Sequence, residues 1–114
     1  MRLQELHQGL LSDQSAQQAF QQAISQTVQR GETVLDLGTG TGIHALFACQ
    51  AGASRVYAVD QNPAILELAR RVARGQGFDD RIVFLDRPAD EVDLPQPVDV
   101  LITHQGFFQQ LELI

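Results

Sequence analysis

The sequence predicts one doubly wound α/β domain built on a parallel sheet, and three observations carry that expectation. Four short runs, Val34 to Leu37, Arg55 to Val59, Ile82 to Leu85 and Val98 to Ile102, are nearly all apolar, as strands covered on both faces of a parallel sheet are. Segments of helical period precede and separate the first three, so the order reads α-β-α-β-α-β-loop-β. At 114 residues and 44% hydrophobic content, the chain is long enough for one real core and too short for two. The expected boundaries are a lead-in with an amphipathic helix over 1–32 and the α/β unit over 33–114. No internal repeat of fixed period is present.

Residues 1 to 12 read as a lead-in anchored by Leu3, Leu6, Leu10 and Leu11, after which Ser12 or Asp13 supplies a helix N-cap. Ala16, Phe20, Ala23, Ile24 and Val28 then recur near every 3.6 residues, with a run of glutamines filling the opposite, solvated face. Arg30 and Gly31 are expected to give this helix its last-turn charge and left-handed stop. A second helix is expected from Ile43 to Ala51, stopped by Gly52. A third runs from Pro63 to Arg74, with Asn62 as N-cap, Arg70, Arg71 and Arg74 offsetting the helix dipole at its end, and Gly75 as stop. The stretch from Arg87 to Pro97 holds three prolines and several acids, so it is a loop with at most one short helical turn.

Charge and composition narrow the chemistry. The formal net charge is -6, and every basic residue is an arginine, so the broad basic surface that attracts nucleic acid is missing. Without lysine there is also no side chain for the phosphates of a P-loop nucleotide. A single cysteine, Cys49, rules out an internal disulfide framework and fits a reducing compartment, where it serves as a small buried hydrophobe. His7 and His44 have no partners at metal-ligand spacing, so no metal site is expected. No uncharged run of the ~18 residues needed to span a bilayer occurs, and the first residues lack the apolar core of a signal peptide, which makes the cytoplasm the expected location.

The functional stretch is Val34 to Ile43, an apolar run that ends in Asp36 and continues into three alternate glycines, Gly38, Gly40 and Gly42. A glycine turn between strand and helix lets backbone approach a ligand closely and aims helix N–H groups at it. Two cofactor classes use such a turn. The run Gly40 to Ala45 satisfies the dinucleotide pattern G-x-G-x-x-G/A, and Asp60 follows at the distance expected for a ribose carboxylate, which keeps an NAD(P)-dependent oxidoreductase open. Asp36 favours the other class: beside a pyrophosphate its charge would cost ~4 kcal/mol for unit charges ~4 Å apart at intermediate dielectric. The same carboxylate suits a ligand that carries a sulfonium and an ammonium and no phosphate, which S-adenosylmethionine is.

Asp36-Leu37-Gly38-Thr39-Gly40-Thr41-Gly42 resembles the first motif, D/E-x-G-x-G-x-G, of the class I S-adenosylmethionine-dependent methyltransferases. Ala51 to Asp60, Gly77 to Ile82 and Ala89 to Pro95, with His7, Leu10, Leu11 and Asp13 at the spacing of a lead-in motif, are similar to the cofactor-binding half of the protein arginine methyltransferase branch and its bacterial relatives. The resemblance runs from about residue 7 to the C-terminus. It implies a Rossmann-like sheet of the class I methyltransferase fold that stops here after the fourth strand, and a cofactor-binding domain over 33–114 that is incomplete. It also implies a set of cofactor contacts. The turn from Gly38 through Thr39, Gly40, Thr41 and Gly42 to Ile43 packs against the methionine part, with Asp36 biasing it toward the cation. Asp60, with Gln61 beside it, holds the ribose; Asp90 takes the adenine amino group and the Ala89 N–H a ring nitrogen.

Two positions depart from that branch. Ala16 stands where the branch has an arginine for the cofactor carboxylate, and His104 stands at the first of the two glutamates that hold a substrate guanidinium, leaving Glu112 to resemble the second. His104 is therefore a candidate general base and Glu112 a candidate substrate ligand. The family also continues beyond the fourth strand, so the apolar tail Phe107, Phe108, Leu111, Leu113 and Ile114 and the edge of that strand are expected to be covered by the remainder of an enzyme or by a second chain. The resulting expectation is the cofactor-binding part of a methyltransferase, passing a methyl group to an unidentified nucleophile, on a protein among other options, by direct attack on the sulfonium carbon and by positioning more than acid–base help. A non-catalytic methyltransferase-like binding or assembly module is the second reading.

Overall fold

The apolar runs form strands and the periodic segments form helices, in the order β1 (Arg2–Glu5), α1 (Asp13–Thr27), β2 (Thr33–Leu37), α2 (Ile43–Gln50), β3 (Arg55–Asp60), α3 (Pro63–Gly75), β4 (Ile82–Asp86), a 3₁₀ turn (Ala89–Glu91) and β5 (Val100–Thr103). This computed structural model describes residues 2–5 and 13–103. All neighbouring strands are parallel, and their order across the sheet is β1-β5-β2-β3-β4. From β2 the chain winds outward through α2 and α3 to β4, then returns across the sheet to β5. The reversal leaves a switch point between β2 and β5, where open α/β sheets bind ligands at the carboxyl ends of their strands. Leu37 lies opposite Thr103 on one side and Val59 on the other, so the glycine turn leaves the sheet at that point.

Strand alternation divides the core in two. Val34, Val56, Ala58, Val100 and Ile102 face α1, α2 and α3, where Ile24, Val28, Ala45, Ala48 and Ala73 complete one cluster. Leu35, Leu37, Tyr57, Val59 and Leu101 face the other way and are covered by Val92, Leu94 and Val98 of the proline-bearing return connection. The right-handed crossover rule accounts for the asymmetry: outward steps place their helices on one face, and the returning step must cross the opposite one.

Four expectations are corrected. The predicted fourth strand, now β5, is interior instead of a bare edge, because Arg2–Glu5 pairs along it from Arg2 opposite Val100 to Glu5 opposite Thr103. Arg-Leu-Gln-Glu has one apolar residue in four, so it carries no strand signal of its own and owes its conformation to the neighbour it pairs with. Helix α1 ends at Thr27 with no basic residue in its last turn. The helix stops before Arg30, and Arg30 with Gly31, the latter at φ +87°, forms the centre of a turn closed by the Glu32 N–H on the Gln29 carbonyl at 3.1 Å, while the Glu32 carboxylate accepts from the Gln29 N–H at 2.6 Å. Helix α3 runs through Gly75, with Gln76 as its C-cap, and the left-handed residue is Gly77 at φ +80°. The expected N-cap of α3 is in place: Asn62 Oδ1 accepts from the Ala64 and Ile65 N–H groups at 3.1 and 3.2 Å. Strand β4, paired among the described residues with β3 alone, is half-buried along most of its length instead of covered on both faces.

Arg81 closes the rear of the sheet. Its Nη2 donates to the Cys49 carbonyl at 2.8 Å and its Nε to the Ala53 carbonyl at 3.0 Å, which ties the end of α2 and the turn after it to the start of β4. Cys49 is a buried thiol beside it, and burial raises its pKa to about 11, against a lowering pull from Arg81. The folded value lies above the ordinary 9.0, so the neutral thiol contributes stability that is present below pH 9 and lost as pH rises toward 11. Labelling with iodoacetamide at pH 8 is expected to be slow in the folded chain and fast in urea; equal rates would contradict this burial.

Candidate cofactor site

Every glycine of the turn has a local reason. The Gly38 and Thr39 N–H groups both donate to the Val59 carbonyl at 2.9 Å, which ties the turn to the end of β3. The Gly42 N–H donates to the Thr39 carbonyl at 2.9 Å, and α2 starts one residue later. Gly42 has φ +84°, and a Cβ there would stand 3.2 Å from the Ala69 Cβ, so this glycine lets α3 close on the start of α2. Gly40, at φ +55°, is different: a Cβ there would meet nothing within 4 Å, which marks it as the open side of the turn.

Beneath the turn lies Asp36, fully buried, on the helix-facing side of β2, where its register partners are Ala58 and Ile102. Its Oδ2 accepts from the Thr39 hydroxyl at 2.7 Å, and Thr39 is itself buried. The turn is thus built on an internal carboxylate, which holds it through the Thr39 hydroxyl. A second anion placed on the same turn meets repulsion, whereas a cation is favoured.

Asp60 ends β3 beside the turn. One carboxylate oxygen, Oδ2, accepts from the Gly40 N–H at 2.9 Å, and the other, Oδ1, accepts from the Asn62 N–H at 3.0 Å. A single side chain therefore fixes the turn in front of it and the start of α3 behind it. Asp60 stays partly exposed and, with Gly38, Val59, Gln61, Arg87 and Ala89, lines a cleft of about 110 Å³. That volume takes part of a nucleoside, not a whole cofactor, since complete ligand pockets run to roughly 300 Å³ or more.

A family model described as a methyltransferase domain matches residues 34–113. The chain belongs to the methyltransferase domain family. It is 37% identical over 101 residues to the arginine N(omega)-methyltransferase of Streptomyces achromogenes subsp. streptozoticus, covering 85% of this chain and 28% of that protein. It is 36% identical over 100 residues to protein arginine N-methyltransferase 6 of Xenopus laevis, covering 86% and 29%. Its fold is similar to that of the Trypanosoma brucei PRMT1 enzyme–prozyme heterotetrameric complex with AdoHcy, with a TM-score of 0.74 and 31% identity over 83% of this chain and 32% of that one. Arabidopsis thaliana protein arginine methyltransferase 10 follows, with a TM-score of 0.72 and 33% identity over 78% and 26%. The chain spans less than a third of the length of the curated relatives it matches.

In this methyltransferase domain Gly38, Asp60, Gln61 and Ala89 meet at one cleft, and Thr39, Gly40, Thr41 and Gly42 form the turn beside it. Ile43 begins α2 and packs into the core, and Asp90 lies exposed on the 3₁₀ turn, outside the residues that line the cleft. Ala16 is buried on α1. His44 is buried on α2 with the Phe20 ring stacked on it at 4.2 Å between centroids. His7, His104 and Glu112 fall outside the described residues. Sequence reasoning missed three participants. Val59 acts through its carbonyl, Asn62 through its N–H on Asp60, and Arg87 through its place in the cleft. The first two act through backbone, which no residue type announces. Arg87 follows β4 directly and pairs by its N–H with the Asp60 carbonyl at 3.0 Å, a register that only the folded sheet reveals.

Proposed function

We propose that this methyltransferase domain binds S-adenosylmethionine along the Gly38–Gly42 turn, and that the protein to which it belongs methylates an arginine guanidino nitrogen. The buried Asp36 beneath an open glycine turn carries the first half of the reading. It fits a ligand whose charge near the turn is positive and disfavours the pyrophosphate of NAD(P). Asp60 and Gln61 hold the ribose end, with Ala89 and Asp90 along the adenine. When bound, the cofactor supplies a methyl group already activated on sulfur. The chain's own part is to hold that group in place and keep the turn rigid.

The relatives named as arginine methyltransferases support the acceptor. Glu112 is assigned to hold the substrate guanidinium and His104 to accept a proton, with further segments or a second chain completing the acceptor site. Residues 33–114 form the cofactor-binding unit, and residues 1–32 its lead-in. No helix among the described residues is long and apolar enough to cross a membrane, and the buried neutral thiol of Cys49 agrees with a reducing, cytoplasmic setting.

Calorimetric titration with S-adenosylmethionine, S-adenosylhomocysteine and NAD tests the cofactor. Binding of the first two without the third is expected, and binding of NAD alone would overturn the reading.

A further inference from the structure

The cleft beside Asp60 contains a cation that the cofactor reading leaves without a task. Arg87 is exposed and contributes to the same wall as Asp60, Gln61 and Ala89. Its backbone N–H donates to the Asp60 carbonyl at 3.0 Å, which sets the residue one register step past the end of β4, directly alongside the carboxylate-bearing end of β3. The ion pairs formed among the described residues do not include it. By contrast, Arg70 is placed over the Phe84 ring and Arg81 over the Phe78 ring, so two other guanidinium groups of this chain already sit against aromatic faces.

The ligand implied by Asp60 is a nucleoside, a ribose with a flat purine attached. A guanidinium is planar, weakly hydrated and prefers aromatic faces, and desolvating it against a ring costs less than desolvating a lysine ammonium. Resting on the S-adenosylmethionine reading, we infer that Arg87 stacks its guanidinium plane on the purine ring and is a specificity-determining residue of the cofactor site. The remaining walls near the ring are short, with Gly38 and Ala89 offering no aromatic or long apolar surface. Arg87 supplies the broad face that they lack. Because its bond to Asp60 is made by backbone, side-chain replacement leaves the ribose carboxylate where it is.

The test is calorimetry on the full chain with three probes: S-adenosylhomocysteine, adenosine and S-ribosylhomocysteine, the last being the same thioether without the purine. Arg87→Ala is expected to weaken S-adenosylhomocysteine and adenosine by the same factor, about tenfold, and to leave S-ribosylhomocysteine unchanged. Arg87→Lys keeps the charge without the plane and is expected to lose most of that factor. Full affinity in Arg87→Lys, or an equal loss for the purine-free probe, would show that charge or general structure is at work and overturn the stacking role. Unchanged affinity in Arg87→Ala would overturn it while the cofactor reading stands. Failure of the unmodified chain to bind S-adenosylhomocysteine would sink the cofactor reading itself.

Discussion

Asp60→Ala is expected to weaken S-adenosylhomocysteine binding by at least about 100-fold, a loss of ~3 kcal/mol. Both carboxylate oxygens are engaged, one by the Gly40 N–H and the other by the Asn62 N–H, and hydrogen bonds to charged groups are worth ~1.5–3 kcal/mol each. Removing the carboxylate therefore loosens the open side of the glycine turn and the start of α3 at once, besides deleting the acceptor for the ribose. Asp60→Asn separates these contributions. It keeps one carbonyl acceptor and loses the charge, so about tenfold weaker binding is expected. Calorimetry with both variants, with thermal melts to follow the fold, measures the difference. Wild-type affinity in Asp60→Ala would remove Asp60 from the site.

The largest effect on stability is expected at Gly52. It has φ +109°, beyond the left-handed region that other residues reach, and a Cβ there would stand 3.1 Å from the Arg30 Cα. The neighbour is backbone, and the Gly31 N–H donates to the Gly52 carbonyl at 2.8 Å, so the two turns cannot part without losing that bond. Strain and contact together predict that Gly52→Ala destabilises the fold by about 3 kcal/mol. Gly31→Ala is the internal control: φ is +87°, but nothing lies within 4 Å of the added Cβ, so only the conformational cost of about 1 kcal/mol is expected. Urea midpoints for the two variants decide the matter. Equal losses would mean that the Arg30 contact carries no weight.

How much of this was legible in the sequence depended on whether the signal was local. The runs at Val34 and Arg55 were readable because strands buried in a parallel sheet must be apolar almost throughout, and the Ile82 run was readable by its composition although β4 is half-buried. Strand β1 was not, because its conformation comes from β5, almost a hundred residues away, and not from Arg-Leu-Gln-Glu itself. The left-handed stop after α3 was misplaced by two residues because Arg-Gly-Gln-Gly offers two glycines, and only geometry picks the one that turns left-handed. At the candidate site, the spacing of Asp36, the glycines and Asp60 placed a strand, a turn and a second strand end where the structure has them. It could not tell that Asp36 is wholly enclosed and acts through Thr39, or that both oxygens of Asp60 already hold backbone N–H groups. Those are properties of depth and register. Spacing along a chain does not encode them.

The order of the strands also governs how the chain must assemble as it emerges from the ribosome. β5 is the last described strand to be made, yet its place is between β1 and β2, both of which appear far earlier. Until Val100–Thr103 arrives, β2 presents an open edge of unpaired backbone groups, while α2, β3, α3 and β4 can already build outward on its other side. A nascent chain paused before residue 100 would therefore hold a three-strand half-sheet with a sticky flank, which mispairs readily with its own copies. Completion is a keystone step, and slow delivery of those four residues would be expected to favour aggregation over folding.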